Sequence, residues 1–230
     1  MRKAYYHLPG LFEFYELYRV FLPIYREHRE YFYDWCEIGS IYGAPADCIW
    51  GGGRAGFGED DPEEVLASTT KVLTDFEKLM HEIRREDFRY VVPDFRLNKA
   101  FDRWETLSQT EKDKVEFLCN ECCWFGCTDR KACYETVSRK NLGENKEHHC
   151  AAPDSDQGYR FSKAMKNPGF IGIDAIQNVY LPMGFSNFKI EGRGLGSALL
   201  LEFILYYMTK PEYQIAVREE LYLDNTLDLF

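Results

Sequence analysis

The sequence predicts an α/β chain built on a mainly parallel sheet. Two observations carry the prediction. Short apolar runs with strand character, at 36–41, 89–93, 115–120 and 187–191, alternate with runs of helical periodicity. Helix-start signatures recur between them, as Asp61-Pro62-Glu63-Glu64, Thr74-Asp75-Phe76-Glu77 and Ser108 to Glu111. An eight-stranded barrel takes about 250 residues. The 230 residues here fill a partial or compact barrel, or an open sheet, as one domain.

The chain opens on an aromatic-rich helical segment spanning about 1–34. Its helix runs from Leu11 to Leu22 and breaks or kinks at Pro23. The first core strand follows, with Cys36, Ile38 and Ser40 on one face. After it comes the loop Trp50-Gly51-Gly52-Gly53-Arg54-Ala55-Gly56-Phe57-Gly58. Its glycines admit a close backbone approach, and Arg54 is its candidate anion ligand. No Lys-Ser/Thr ending follows, so it is not a P-loop.

A short helix to about Ala67 and a strand stub at Ser68 to Val72 come next. The following helix places Phe76, Leu79, Met80 and Ile83 on one face, which makes them core residues. The strand at 89–93 runs into a polar loop, Asp94-Phe95-Arg96-Leu97-Asn98. A helix from Thr128 to about Lys140 turns Cys133 inward toward Cys127. Residues Ala151 to Gly158 look flexible. Ser197 to Met208 is an apolar helix, and Thr209-Lys210-Pro211-Glu212 caps the last one, which ends near Tyr222.

The net charge of −10 excludes a general attraction to nucleic acid or anionic membrane. The longest apolar run, around Ala198 to Met208, is too short and too interrupted by Glu202 for a span of about 20 residues. The N-terminus lacks the apolar stretch of a signal peptide, so a soluble, cytoplasmic protein with reduced thiols is expected.

The cysteines are the strongest chemical signal. Six of the eight lie between Cys119 and Cys150, directly after the strand run Val115 to Leu118. Cys119 and Cys122 form a C-x2-C pair, with Cys123, Cys127, Cys133 and Cys150 beyond. The second tight pair of a common structural zinc site is missing, although His148 and His149 beside Cys150 can complete a mixed site. The C-x3-C-x2-C spacing of radical S-adenosylmethionine enzymes is absent. Thiolates as the abundant ligand favour zinc or iron–sulfur over magnesium or calcium. The bland alternative is a set of reduced core cysteines.

On the strand Asn187 to Glu191, alternation puts Lys189, Glu191 and, beyond it, Arg193 on one face. Buried charges must be paired, so Glu191 is expected to bridge Lys189 and Arg193. A solvated edge strand is the other reading.

Asn120-Glu121-Cys122, Cys127, Arg130-Lys131-Ala132-Cys133-Tyr134 and Phe188-Lys189-Ile190-Glu191-Gly192-Arg193 together resemble the collagenase-like peptidase family, mainly over residues 88–195. The resemblance implies a TIM-like barrel, here partial or compact. It also implies kinship with oxygen-independent hydroxylases that carry a four-cysteine iron–sulfur cluster. Carried over by position, Cys122, Cys127, Cys133 and Cys150 are the metal ligands, with Cys119 and Cys123 as substitutes. Lys189, Glu191, Arg193, Asp94, Arg96 and Glu121 are the catalytic candidates. Arg54 and Asn120 are the cofactor-binding ones.

The expected activity is redox modification of an unknown substrate rather than peptide hydrolysis. The stretch from Gly58 to Thr74 is too short for two further strand–helix units, which leaves open sheet edges for a partner chain to cover. The competing expectation is a non-catalytic partner-binding protein with a structural zinc.

Overall fold

The computed structural model describes residues 21–36, 70–73, 76–83, 90–130, 149–191 and 197–223, with 132, 133, 136, 145 and 147. Within them the chain is mixed α/β with parallel strand pairing throughout its named strands. Strand β1 (Thr70–Leu73) pairs in parallel with β2 (Tyr90–Pro93), and β3 (Glu116–Leu118) pairs in parallel with β4 (Asn187–Lys189). The two pairs meet at one parallel bridge, Val91 to Val115, where the Val91 N–H donates to the Lys114 carbonyl at 2.7 Å. All four strands therefore point the same way, and their C-terminal ends share one edge. No closed barrel forms among the described residues.

Three of the four expected strands occur, each shorter than its apolar run, and the expected stub near 70 is a full strand. The run at 36–41 is not confirmed: Cys36 sits in a loop, and the rest lies outside the described residues. Pro23 does not end its helix. Residues 21–27, helix α1, stay helical past it.

Helix α2 (Phe76–Ile83) buries Leu79 and Ile83 and rests Phe76 and Met80 against the core, as its periodicity dictates. After α3 (Phe101–Trp104), the capping box at Ser108 starts α4 (Gln109–Lys112). There Ser108 Oγ accepts from the Glu111 N–H and Glu111 Oε2 accepts from the Ser108 N–H.

Beyond α5 (Phe161–Met165), helix α6 (Ile173–Ala175) continues into a π-helical turn, Ile176–Tyr180, leading to β4. Helix α7 (Ser197–Met208) buries residues on all sides, from Leu200 to Met208. Its Glu202 faces outward and pairs with Arg218 of α8 (Gln214–Leu223) at 2.7 and 3.1 Å.

A single hydrophobic core takes in Phe21 and Phe32 from the N-terminal segment and Val217 and Leu221 from α8. At its centre Phe117 of β3 meets Trp104, Tyr180 and Phe185 edge-on, with ring centroids 5.2, 4.9 and 5.0 Å away. This packing fixes β3, and β3 presents the cysteine loop. No helix among the described residues is long and apolar enough to cross a membrane.

Candidate metal centre and strand-end charge ladder

The parallel register decides what meets at the C-terminal edge. Leu118 lies opposite Lys189, so the next inward step places Asn120 beside Glu191. Asn120 is fully buried, and its amide closes a two-bond clamp on that residue's backbone. Its Nδ2 donates to the Glu191 carbonyl at 2.8 Å, and its Oδ1 accepts from the Glu191 N–H at 2.6 Å. The side chain thus extends the β3–β4 ladder. Both its polar atoms are engaged there, so its contribution to a cofactor site is to hold the strand ends.

At the end of β2, Asp94 is fully buried and caps the turn Phe95–Leu97 by accepting from the Arg96 N–H at 3.0 Å. It also takes a two-point contact from the Arg96 guanidinium, at 2.7 Å from Nε and 2.8 Å from Nη2. The third arm of Arg96 donates to the Cys127 carbonyl at 2.9 Å and ties the cysteine loop to β2.

Arg130, at the start of the helical segment that bears Cys133, is buried between Asp94, at 3.8 Å, and Glu121, to which it donates a short hydrogen bond. Its guanidinium lies 4.8 Å from the Phe95 ring centroid.

Glu121 is the hub. Its Oε1 accepts from the backbone N–H groups of Cys122 and Cys123, both at 2.9 Å, and its Oε2 accepts from Arg130. Glu191 adds a carboxyl–carboxyl hydrogen bond to the same group. Glu121 thus accepts from three N–H donors besides its contact with Glu191.

Burial, and then the Glu121 charge, push the Glu191 carboxyl up to about 8 against the opposing pull of Arg130 and Lys189. Glu191 is therefore the partner that carries the shared proton at neutral pH. Its Oε2 is sealed from solvent and has no hydrogen-bond partner. Of the expected bridge from Glu191 to Lys189 and Arg193, only the Lys189 side falls on described residues. Lys189 is half-buried within electrostatic reach of Glu191, while Arg193 and Arg54 lie outside the described residues.

The thiols fall into three groups. Cys119 is core: it is fully buried, its thiol is pushed well up by burial, and its Sγ lies 3.6 Å from the Phe117 carbonyl. That rules it out as a substitute ligand in this arrangement. Cys122 is half-buried, and its thiol is pushed far up, first by a hydrogen bond with Cys123, then by burial and by Glu191 and Glu121.

The third group surrounds Cys133. Its thiol is raised by burial and then by the neighbouring thiols of Cys123, Cys150 and Cys127. Such mutual repulsion is what a bound soft cation relieves. Cys150 is exposed and Cys127 half-buried. His149 is exposed, and His148 lies outside the described residues.

Glu121, Cys122 and Cys123 also bring one carboxylate oxygen and two thiols within 4.8 Å of one another, close enough to share one metal ion. Because Glu121 already accepts three hydrogen bonds, the thiols are the better donors of that trio.

Three contributors went unassigned in the sequence: Arg130, Tyr159 and Asn167. Tyr159 donates its hydroxyl to the Asn120 carbonyl, and its phenol is raised by burial, then by Glu191 and Cys122. Asn167 Nδ2 donates to the Cys123 carbonyl at 2.9 Å and braces the loop from below. The position of Arg130 three residues before Cys133 was a readable signal, but Tyr159 and Asn167 sit in loops without periodicity.

Comparison with family models, with curated proteins and with solved structures gave no match.

Proposed function

We propose that the chain holds a thiolate-ligated metal centre, an iron–sulfur cluster, at the C-terminal edge of a partial barrel, and uses it in redox modification of a substrate. The trio of Glu121, Cys122 and Cys123, with donor atoms within 4.8 Å of one another, carries this reading, and Cys127 and Cys150 lie within electrostatic reach of Cys133 as further candidates. It keeps Cys122 and Cys123 together as ligand candidates. The donor set suits iron–sulfur or zinc, because soft thiolates prefer these ions.

An iron–sulfur cluster, when bound, supplies one-electron chemistry. The chain's own residues do the rest. Arg96 and Arg130 bring two cations to the cysteine loop and offset ligand charge. Glu121 and Asn167 fix the loop backbone. Glu191 holds a proton at the strand-end face. The resemblance to collagenase-like peptidases and their hydroxylase-type relatives points to oxygen-independent chemistry on an organic substrate.

The test is anaerobic purification followed by iron, acid-labile sulfide and zinc analysis with a visible spectrum. Brown protein with iron and sulfide supports the proposal. Colourless protein with stoichiometric zinc replaces it with a partner-binding protein built on structural zinc. The exposed Trp124 on the cysteine loop, 44% accessible, is the observation favouring that second reading.

A further inference from the structure

We propose that Cys122 and Cys123 form a redox switch: a low-molecular-weight disulfide oxidises the adjacent thiols to a vicinal disulfide, and the closed pair cannot hold metal. The inference begins with the backbone. In an extended strand, adjacent side chains point to opposite faces. Cys122 and Cys123 depart from that rule, because one carboxylate oxygen, Glu121 Oε1, accepts from both of their N–H groups at 2.9 Å. Asn167 Nδ2 holds the same turn by its carbonyls, donating to Cys123 at 2.9 Å and to Glu121 at 3.3 Å.

The turn brings the two sulfurs within 4.8 Å of each other, and the thiols hydrogen-bond one another. Both residues are half-buried, so neither is sealed from a small oxidant, whereas Cys119 is shut in the core. Adjacency also makes the bond reversible. Adjacent Cα atoms lie about 3.8 Å apart across a trans peptide. An ordinary disulfide spans about 4.4–6.8 Å between its Cα atoms. The vicinal bond is therefore strained, and strained disulfides are the readily reduced ones.

The step is a pair of thiol–disulfide exchanges. One cysteine attacks oxidised glutathione, breaks its S–S bond and forms a mixed disulfide, releasing one reduced glutathione. The neighbouring cysteine attacks that mixed disulfide and releases the second. Two electrons and two protons thus pass from the cysteines to the two glutathione thiols. Loss of metal on closure rests on the thiolate centre proposed above, whereas closure itself does not.

The experiment exposes the full chain, purified anaerobically, to excess oxidised glutathione, with and without a chelator, and measures iron and zinc on the same samples. Free thiols are alkylated under denaturing conditions, and tandem mass spectrometry of the tryptic peptide 115–130 assigns each cysteine. Cys122 and Cys123 should escape alkylation together, in a peptide lighter by two hydrogens, while Cys119 and Cys127 are alkylated. Metal should be lost as the pair closes. Excess reduced glutathione should reopen it. Cys122→Ser and Cys123→Ser, with folds verified by circular dichroism, should each stop at the mixed disulfide and keep one glutathione on the remaining cysteine.

Alkylation of both cysteines in the chelated sample would overturn the proposal. So would a bond from either one to Cys127, Cys133 or Cys150, or a vicinal bond that survives excess reduced glutathione. Closure in protein that carries no metal as purified would support the switch while removing the metal centre. Bound metal with no closure after chelation would keep the centre and remove the switch, so the two readings fail separately.

Discussion

Arg130 is the residue on which the strand-end charge ladder depends most. It is 6% exposed and stands between Asp94, at 0%, and Glu121, at 2%. Replacing it by Met keeps much of the apolar stem but leaves two buried carboxylates without their shared cation. At 3.8 Å and an effective dielectric of about 20, the attraction to Asp94 alone is about 4 kcal/mol. Breaking a buried pair from one side costs about 3–5 kcal/mol in practice.

For a chain of this size each kcal/mol moves the melting temperature by about 2–4 °C. Arg130→Met should therefore melt about 6–20 °C below wild type, read by circular dichroism under anaerobic conditions. Its deficit should narrow in acid, where protonating a carboxylate removes the uncompensated charge. Arg130→Lys keeps the charge but loses the planar fork and the face of Phe95, so it should fall between the two. A melting temperature for Arg130→Met within about 2 °C of wild type would show that water screens these groups and would refute the buried ladder.

Three further predictions follow from the same geometry. Asn120→Ala strands the N–H and carbonyl of Glu191, two groups now bonded at 2.6 and 2.8 Å, and should cost about 2–4 kcal/mol in urea unfolding. Glu191→Gln should cost under about 1 kcal/mol at neutral pH, because it replaces a protonated carboxyl by its isostere. The same change should flatten the pH dependence of stability. The carboxyl rises from 4.5 to about 8 on folding, so its stabilising contribution is full below 4.5 and is lost as pH climbs through 8. A wild-type stability that does not fall across that window relative to the variant contradicts the assignment. Finally, Cys122→Ser and Cys123→Ser should each lower metal content, and chelation should lower the melting temperature, since ligand binding adds to folding free energy. Unchanged melting after chelation would make these thiols ordinary packing groups.

Much of the site was legible because it is local in the chain. The density of cysteines after an apolar run needs no fold to be seen. The reciprocal capping box at Ser108 and the buried face of α2 follow from spacings of three and four residues. The polar residues closing each strand, Asp94, Asn120, Glu121 and Glu191, stood out against the apolar runs before them. The partners of those residues were not legible. Periodicity states which side chains share a face of one strand, so Glu191 was assigned to Lys189 and Arg193. It carries nothing about the neighbouring strand. Cys119 belongs to the core for the same kind of reason: it continues the buried β3 backbone, with its N–H bonded to the Lys189 carbonyl at 2.9 Å.

The sequence by itself determined three of the four strands it predicted, the helices starting at Phe76 and Gln109 and a thiol-rich loop at a strand end, because each depends on interactions within a few residues. Only the tertiary structure decided which charges meet. The β3–β4 register sets Leu118 against Lys189, and one step on it joins residues 71 apart in the chain, Asn120 and Glu191. That step brings the Glu191 carboxyl against Glu121 as well as within reach of Lys189. Once buried there, two carboxyls and one arginine cannot all remain charged without cost, so one carboxyl keeps its proton. The pairing is a property of the sheet register, and no window of the sequence contains it.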